Sequence, residues 1–192
     1  FDEQRNIQWA RELERVGVHV VYGQAGRKTH AKLALVVRRE GRRMRRYAHI
    51  GTGNYHPRTA RLYTDFGLFT CRDDITEEVH DLFNYLTGFS RIPRYRKLLV
   101  APEGMRDSLV AQIDAVTAAH ARGTAGGIVL KMNAIIDAVI IQALFRASRA
   151  GVPIDLFVRG ICGLRPGLTG VSETIRVTSI IGNFLEHTRL CA

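Results

Sequence analysis

The sequence predicts an α/β protein built from two related halves. Two observations carry that expectation. Amphipathic helical stretches alternate with short apolar runs closed by glycine, across 192 residues of which 46% are hydrophobic, enough to bury a core. One passage also occurs twice. "RELERVGVHVVYG" and "FRASRAGVPIDLFVRG" each read as a helix ending in charges, a Gly-Val step and an apolar strand ending in glycine, which points to internal duplication.

The first helix is expected from Asp2, a plausible N-cap, to Val16, with Trp9, Leu13 and Val16 on one face and Gly17 as terminator. "VHVVYG" reads as a strand directly after it. "AKLALVV" alternates well enough for a further strand, and "RREGRRMRR" around Gly41 turns it into "YAHI", giving a hairpin with basic shoulders. Residues 51–70 start as loop, with Gly51, Gly53 and Pro57, and become extended from about Tyr63. Asp74 with Glu77 makes an aspartate form of the capping box and predicts a helix to Leu86.

"TGFSRIPRYRK" breaks the pattern and divides the chain into residues 1–92 and 93–192. In the second half "MRDSLVAQIDAVTAAHARG" predicts a helix and "GGIVLKM" a strand. "NAIIDAVIIQALFRASRA" predicts a second, more apolar helix, and "GVPIDLFVRG" the strand after it. Asn54 and Asn133 stand at loop or helix starts, where capping is the expected role.

Lysine and arginine number 28 against 18 acids, a net charge of +10, which favours an anionic partner without choosing one. The three cysteines, Cys71, Cys162 and Cys191, are scattered, so neither a disulfide framework nor a zinc site is suggested and a reducing cytosol fits. The longest apolar run, "AIIDAVIIQALF", is broken by Asp137 and Gln142, so no transmembrane segment is predicted. The chain starts with Phe and stops at "EHTRLCA", and it reads as part of something longer.

"GQAGRKTHAKL", residues 23–33, resembles a phosphate loop, but its register is wrong and an alternating strand pattern follows where a helix is needed. His30 is the better candidate. A neutral imidazole can attack phosphorus, and Lys28 and Lys32 would favour the neutral ring and neutralise phosphate oxygens. One such histidine alone is more often a loop residue among cations. A second pair changes that balance: His30 precedes Lys32 by two residues, and His187 precedes Arg189 by two. On a strand each histidine would share a face with its cation, and the two pairs could converge on one anion.

Tyr63 could hold a phosphate or nucleobase or be half-buried on a strand, and the sequence leaves both open. Arg159 ends an apolar strand, where ligands of α/β sheets bind; an ion pair with Asp155 is its structural alternative. The cations Arg38 to Arg46 fit a solvated hairpin face that a polyanion could use.

"KTHAKL", "HIGTGNYHPRTARLYTD", "LFNYLTG", "YRKLLVAP", "VRGICGLRPG" and "FLEHTR" together resemble the bacterial polyphosphate kinase family, in order and along the whole chain. The resemblance implies two phospholipase D-like α/β domains, the second truncated, and reversible transfer of the terminal phosphate of ATP to inorganic polyphosphate through a phosphohistidine. Carried over by position, it implies His30 as the nucleophile. Tyr63, Arg159 and His187 become ATP-contacting positions, His187 also an acid or base, while Lys28 and Lys32 are expected phosphate ligands from the reading of the residues around His30. It further implies Mg2+ as cofactor, with its site not placeable in this stretch. A cytoplasmic location with peripheral membrane association, a homo-oligomer at full length, and little or no turnover by the 192-residue chain alone complete the expectation.

Two alternatives are weaker. A phospholipase D-like phosphodiesterase pairs HxK with a later aspartate, but Val37 stands at that position and the second copy has Arg189 for lysine. A nucleic-acid-binding module fits the +10 charge but shows no recognition motif, so no specific nucleic acid is expected.

Overall fold

The structure is a computed structural model that describes residues 2–23, 26–89 and 94–192. Among the described residues four helices, α1 (Asp2–Arg15), α2 (Asp73–Leu86), α3 (Met105–Ala121) and α4 (Ala138–Arg149), accompany nine short strands. The strands are β1 (Leu33–Glu40), β2 (Arg43–Gly51), β3 (Tyr63–Thr64), β4 (Gly67–Thr70), β5 (Ile128–Met132), β6 (Ile154–Val158), β7 (Ile175–Thr178), β8 (Leu185–Glu186) and β9 (Leu190–Cys191). The chain forms two compact units, residues 1–31 with 80–94, and residues 32–79 with 95–192. The expected division at 92/93 falls within residues 90–93, outside the described residues.

In the first unit α1 ends as its glycine predicts. Gly17 has φ 88°, its N–H donates to the Glu14 carbonyl and that of Val18 to Leu13, a Schellman closure. Gly88, Gly123 and Gly151 close the other three helices with the same pair of bonds. One expectation fails here. Residues 18–23 form no strand, because a strand exists only through ladder partners and none pairs with this segment among the described residues. The face of α1 that carries Trp9, Leu13 and Val16 lies open, with Trp9 at 68% and Val16 at 72% exposure.

The second unit holds three sheets. β1, β2 and β4 form an antiparallel sheet in the order β1-β2-β4, with Leu33 opposite Ile50 and Glu40 opposite Arg43, so the predicted hairpin turns at Gly41. β3 pairs parallel to β8. The third sheet, β7-β6-β5-β9, is parallel except for β9.

The core lies between this last sheet and α3 and α4. Ile128, Leu130, Ile154, Leu156 and Val158 alternate inward along β5 and β6 and meet Ile113, Ala143, Leu144 and Ala147 from the helices. Fully burying a side chain such as Leu144 contributes about 1.5–3 kcal/mol.

Capping differs from expectation at three places. Asp74 lies inside the first turn of α2, where it accepts from the Arg72 guanidinium at 3.1 and 2.8 Å. The cap of α4 is Asp137, whose carboxylate accepts from the N–H groups of Val139 and Ile140, so Asn133 is freed for another role. Asn54 caps no described helix; the nearest helical turn is a 3-10 turn at Thr59–Arg61, with Arg58 at its cap.

Candidate active site

Tyr63 and Asp65 are two residues apart, so the extended backbone at β3 presents both on one side. Both meet His187, which follows β8. The Tyr63 and His187 rings lie 5.1 Å apart at 36°, and His187 Nδ1 is 2.7 Å from Asp65 Oδ1. The backbone fixes this meeting: Leu185 donates to the Leu62 carbonyl at 2.8 Å and His187 to that of Thr64 at 3.2 Å.

Asp65 is itself pinned. Thr52 Oγ1 donates to its Oδ1 at 2.8 Å and accepts from the Phe66 N–H at 2.9 Å. Gly53 permits this packing, since a Cβ there would stand 2.6 Å from Asp65 Oδ2. The ionised carboxylate only accepts, so His187 Nδ1 carries the hydrogen between them and Nε2 is left for proton exchange. Both side chains are largely buried, at 12% and 20% exposure.

Arg159 and Asn133 stand at the carboxyl ends of the parallel neighbours β6 and β5, the place where α/β sheets bind ligands. Asn133 Oδ1 accepts from Arg159 Nε at 3.2 Å and Nη2 at 2.8 Å, while Nη1 donates to the Glu186 carbonyl at 3.2 Å. The ion pair with Asp155 does not form, because Asp155 is held by Arg176 at 2.7 and 2.9 Å.

Arg189 donates to the carbonyls of His187 and Thr188. Burial, and then the positive charge of Arg159, hold its guanidinium below the ordinary arginine value, with Asp65 opposing. Two arginines therefore sense each other beside His187. Neither has a carboxylate ion-pair partner among the described residues, so the field there suits a phosphate.

Lys131 and Glu186 close the group with an ion pair at 2.5 Å, both about one-fifth exposed. The hydrogen bond from Lys131 holds the Glu186 carboxyl below its ordinary range. Lys131 and Asn133 thus tie β5 to the chain around Glu186, one through a side chain and the other by way of Arg159.

Of the residues expected at the site, Tyr63, Arg159 and His187 are brought into this one group. His30 and Lys28 are exposed and belong to the other compact unit, after a turn at Gly26 with φ 74°. In that unit Arg27 donates to the Tyr85 hydroxyl at 3.4 Å. Lys32 is 9% exposed, its carbonyl accepting from Gly51 at 2.9 Å, and β1 begins only at Leu33. The shared strand face expected for His30 and Lys32 is therefore absent. At the second pair fully buried Thr188 separates His187 and Arg189, both less completely buried, which fits a shared face.

Sequence reasoning missed Asp65, Thr52 and the pairing of Asn133 with Arg159. Asp65 carried a usable signal, the two-residue spacing from Tyr63.

A cavity of about 520 Å3 is walled mainly by apolar side chains such as Leu109, Val116, Ile136 and Ile140. Its lining lacks the polar groups that gather around His187 and Arg159, apart from Lys131 and Arg189. Among the described residues, no helix is long and apolar enough to cross a membrane.

Comparison with known proteins gives the family and the fold. The family model for polyphosphate kinase C-terminal domain 1 matches residues 1–92, and that for C-terminal domain 2 matches residues 98–192. The polyphosphate kinase of Synechocystis is 59% identical over 190 residues, covering 99% of this chain and 26% of the relative. That of Streptomyces coelicolor is 55% identical over 192 residues, covering 100% of this chain and 26% of the relative. The crystal structure of polyphosphate kinase from Porphyromonas gingivalis superposes with a TM-score of 0.86 at 39% identity, over 98% of this chain and 31% of that one. The α/β class expected from the sequence is thus the fold observed, and the chain spans about a quarter of the length of these curated relatives. Through the two C-terminal domains that its halves match, the chain belongs to the polyphosphate kinase family.

Proposed function

We propose that this chain carries the phosphoryl-transfer part of a polyphosphate kinase, moving the terminal phosphate of ATP reversibly onto inorganic polyphosphate. The observation that carries this reading is the group of Asp65-held His187, Tyr63, Arg159 and Arg189 at the carboxyl ends of β5 and β6. Two arginines without carboxylate partners beside an oriented histidine suit phosphate oxygens and proton exchange.

In the first half-reaction an imidazole nitrogen of His30 attacks the γ-phosphorus. The N–P bond forms, the bond from phosphorus to the β–γ bridging oxygen breaks, and ADP leaves with that electron pair. In the second, a terminal oxygen of polyphosphate attacks the phosphorus and the N–P pair returns to the ring. Arg159 and Arg189 hold phosphate oxygens, assisted by Lys28 and Lys32, and Tyr63 packs on His187 and presents its hydroxyl to the nucleotide phosphates. His187, with Nδ1 committed to Asp65, holds or releases a proton through Nε2 at the oxygen that leaves or attacks.

Magnesium belongs to the same proposal. Among the described residues no three His, Cys, Asp or Glu side chains gather, and the site carboxylate Asp65 is already committed to His187 and Thr52. These residues do not fit a protein-built metal cage. The proposal also takes residues 1–92 and 93–192 as the two domains, the cytoplasm with peripheral membrane association as the location, and a homo-oligomer at full length.

The phosphodiesterase alternative gains nothing from Val37, an exposed position opposite Arg46 on the hairpin. Incubation of the protein, and of a longer form of it, with γ-labelled ATP tests the proposal. An acid-labile, alkali-stable protein adduct lost in His30→Gln is expected, and absence of label in the longer form would overturn it.

A further inference from the structure

Six arginines lie between residues 38 and 46, at the tip of the β1–β2 hairpin: Arg38, Arg39, Arg42, Arg43, Arg45 and Arg46. All but Arg46 are exposed, and Arg46 is half-exposed. The register sets Arg38 directly opposite Arg45, a like-charge pair that costs stability in a bare hairpin. Local chemistry offsets part of that cost. Glu40 accepts from Arg38 and from the Tyr47 hydroxyl and lies 3.5 Å from Arg45, and both guanidiniums stand 5.4 Å from the centre of the Tyr47 ring.

Glu40 is the hairpin carboxylate in these contacts, so one negative charge answers six positive ones. Arg39, Arg42, Arg43 and Arg46 have no ion-pair partner among the described residues. Arginine forks match phosphate oxygens in pairs and hold their charge at every physiological pH. A surface of this kind presents no apolar pocket and no base-reading arrangement; what it offers is a run of phosphate-sized donors.

Its place in the fold says which phosphates. The opposite end of the same sheet, at Gly51, leads into Thr52 and Gly53, which pack on Asp65 at the candidate site. A nine-residue strand at about 3.3 Å per residue puts the tip on the order of 25–30 Å from Gly51. A nucleotide or a short oligophosphate cannot reach from one end to the other. A long linear chain can.

We propose that the arginine-rich tip of the β1–β2 hairpin is a second, non-catalytic site that binds the distal part of a long inorganic polyphosphate chain. The identity of that chain rests on the function proposed above. By tethering the polymer, the tip raises the effective concentration of its reacting end and gives long chains an advantage that short ones lack.

The test compares the protein with Arg39→Gln/Arg42→Gln/Arg43→Gln/Arg46→Gln, which leaves the Arg38–Glu40–Arg45–Tyr47 cluster in place. The turn variant Arg42→Gln/Arg43→Gln serves should the fourfold change unfold the hairpin. Binding is measured against labelled long-chain polyphosphate, tripolyphosphate and single-stranded polyuridylate over a salt series. The expected result is a loss of about tenfold or more for the long chain and less than about twofold for tripolyphosphate. The slope of log affinity against log salt should fall by about two to four for the fourfold variant.

Unchanged long-chain affinity in both variants would overturn the proposal, as would equal losses for tripolyphosphate. Tighter, hairpin-dependent binding of polyuridylate than of polyphosphate would overturn the assigned occupant in favour of RNA. The labelling experiment with His30→Gln reads the catalytic proposal separately. Hairpin-dependent polyphosphate binding without a phosphohistidine supports this site and sinks that one.

Discussion

His187 and His30 occupy contrasting surroundings. His187 is largely buried, stacked on Tyr63 and bonded at Nδ1 to Asp65, which Thr52 pins in turn. His30 stands exposed in an irregular segment of the other compact unit, between Lys28 and the start of β1. A proton-transfer group benefits from one fixed tautomer and one free nitrogen, which the His187 arrangement supplies. A nucleophile that must take a phosphate from one substrate and pass it to another needs one ring nitrogen within reach of both. The contrast therefore suits a division of labour in which His187 handles protons and His30 carries phosphate.

The largest effects break that contrast outright. In a longer, active form of the protein, His30→Gln should remove the protein-bound phosphate and lower transfer by about a thousandfold or more. His187→Gln should slow transfer by about 10²–10⁴-fold while His30 still accumulates label on long incubation. Label persisting at the normal rate in His187→Gln would show that the two histidines do not divide the work.

Asp65→Asn sharpens the same point with a smaller change. The amide can donate where the carboxylate only accepts, so it can turn His187 to the wrong tautomer with little change of shape. A loss of about a hundredfold in transfer rate is expected, with a melting temperature close to the unsubstituted protein. A variant of normal rate would reduce Asp65 to a structural residue.

Gly53→Ala should act on Asp65 by crowding. The added Cβ would stand under 3 Å from three Asp65 atoms, so the carboxylate must move off His187 or the loop must shift. The expected cost is about 1–3 kcal/mol of stability with a roughly tenfold slower transfer. Calorimetry and steady-state rates read the two effects apart, and an alanine variant of normal rate and melting temperature would show that the packing is not needed.

What the sequence disclosed follows the range of the forces involved. Helix ends such as Gly17 were legible because a Schellman closure is set by a few adjacent residues. The hairpin was legible because alternation and Gly41 both act locally. Residues 18–23 looked like a strand and are not one, since strand formation is decided by partners that composition does not reveal. Tyr63, Arg159 and His187 could be named from the family resemblance. Their support could not: Asp65 meets His187 across 122 positions and Asn133 meets Arg159 across 26, distances over which no periodicity carries information. Asn133 was misread for a related reason, because a helix-start asparagine usually caps and here Asp137 takes that role.

The smallest effect concerns the scaffold, and it separates loss of chemistry from loss of fold. Glu78 on α2 is buried, and burial pushes its carboxyl pKa up. Three backbone donors, from Leu98 at 2.9 Å, Lys97 at 2.8 Å and Arg96 at 2.7 Å, outweigh that push and hold it below the ordinary glutamate value. A carboxyl depressed in the folded state contributes stability that is fully present above its unfolded value, near about 4.3. That contribution is lost as pH falls through the lower folded value. Glu78→Gln keeps the shape but removes the titration, so its melting temperature should be lower at neutral pH and fall less steeply below about pH 4 than that of the unsubstituted protein. With the fold intact at neutral pH, the phosphate-transfer rate of Glu78→Gln should stay within about twofold of normal, as expected of a surface or scaffold change that leaves the site geometry alone. An acid limb of unchanged slope would mean that the three donors do not depress the Glu78 carboxyl in the folded state, and a large rate loss would mean that α2 sets the geometry of one histidine site.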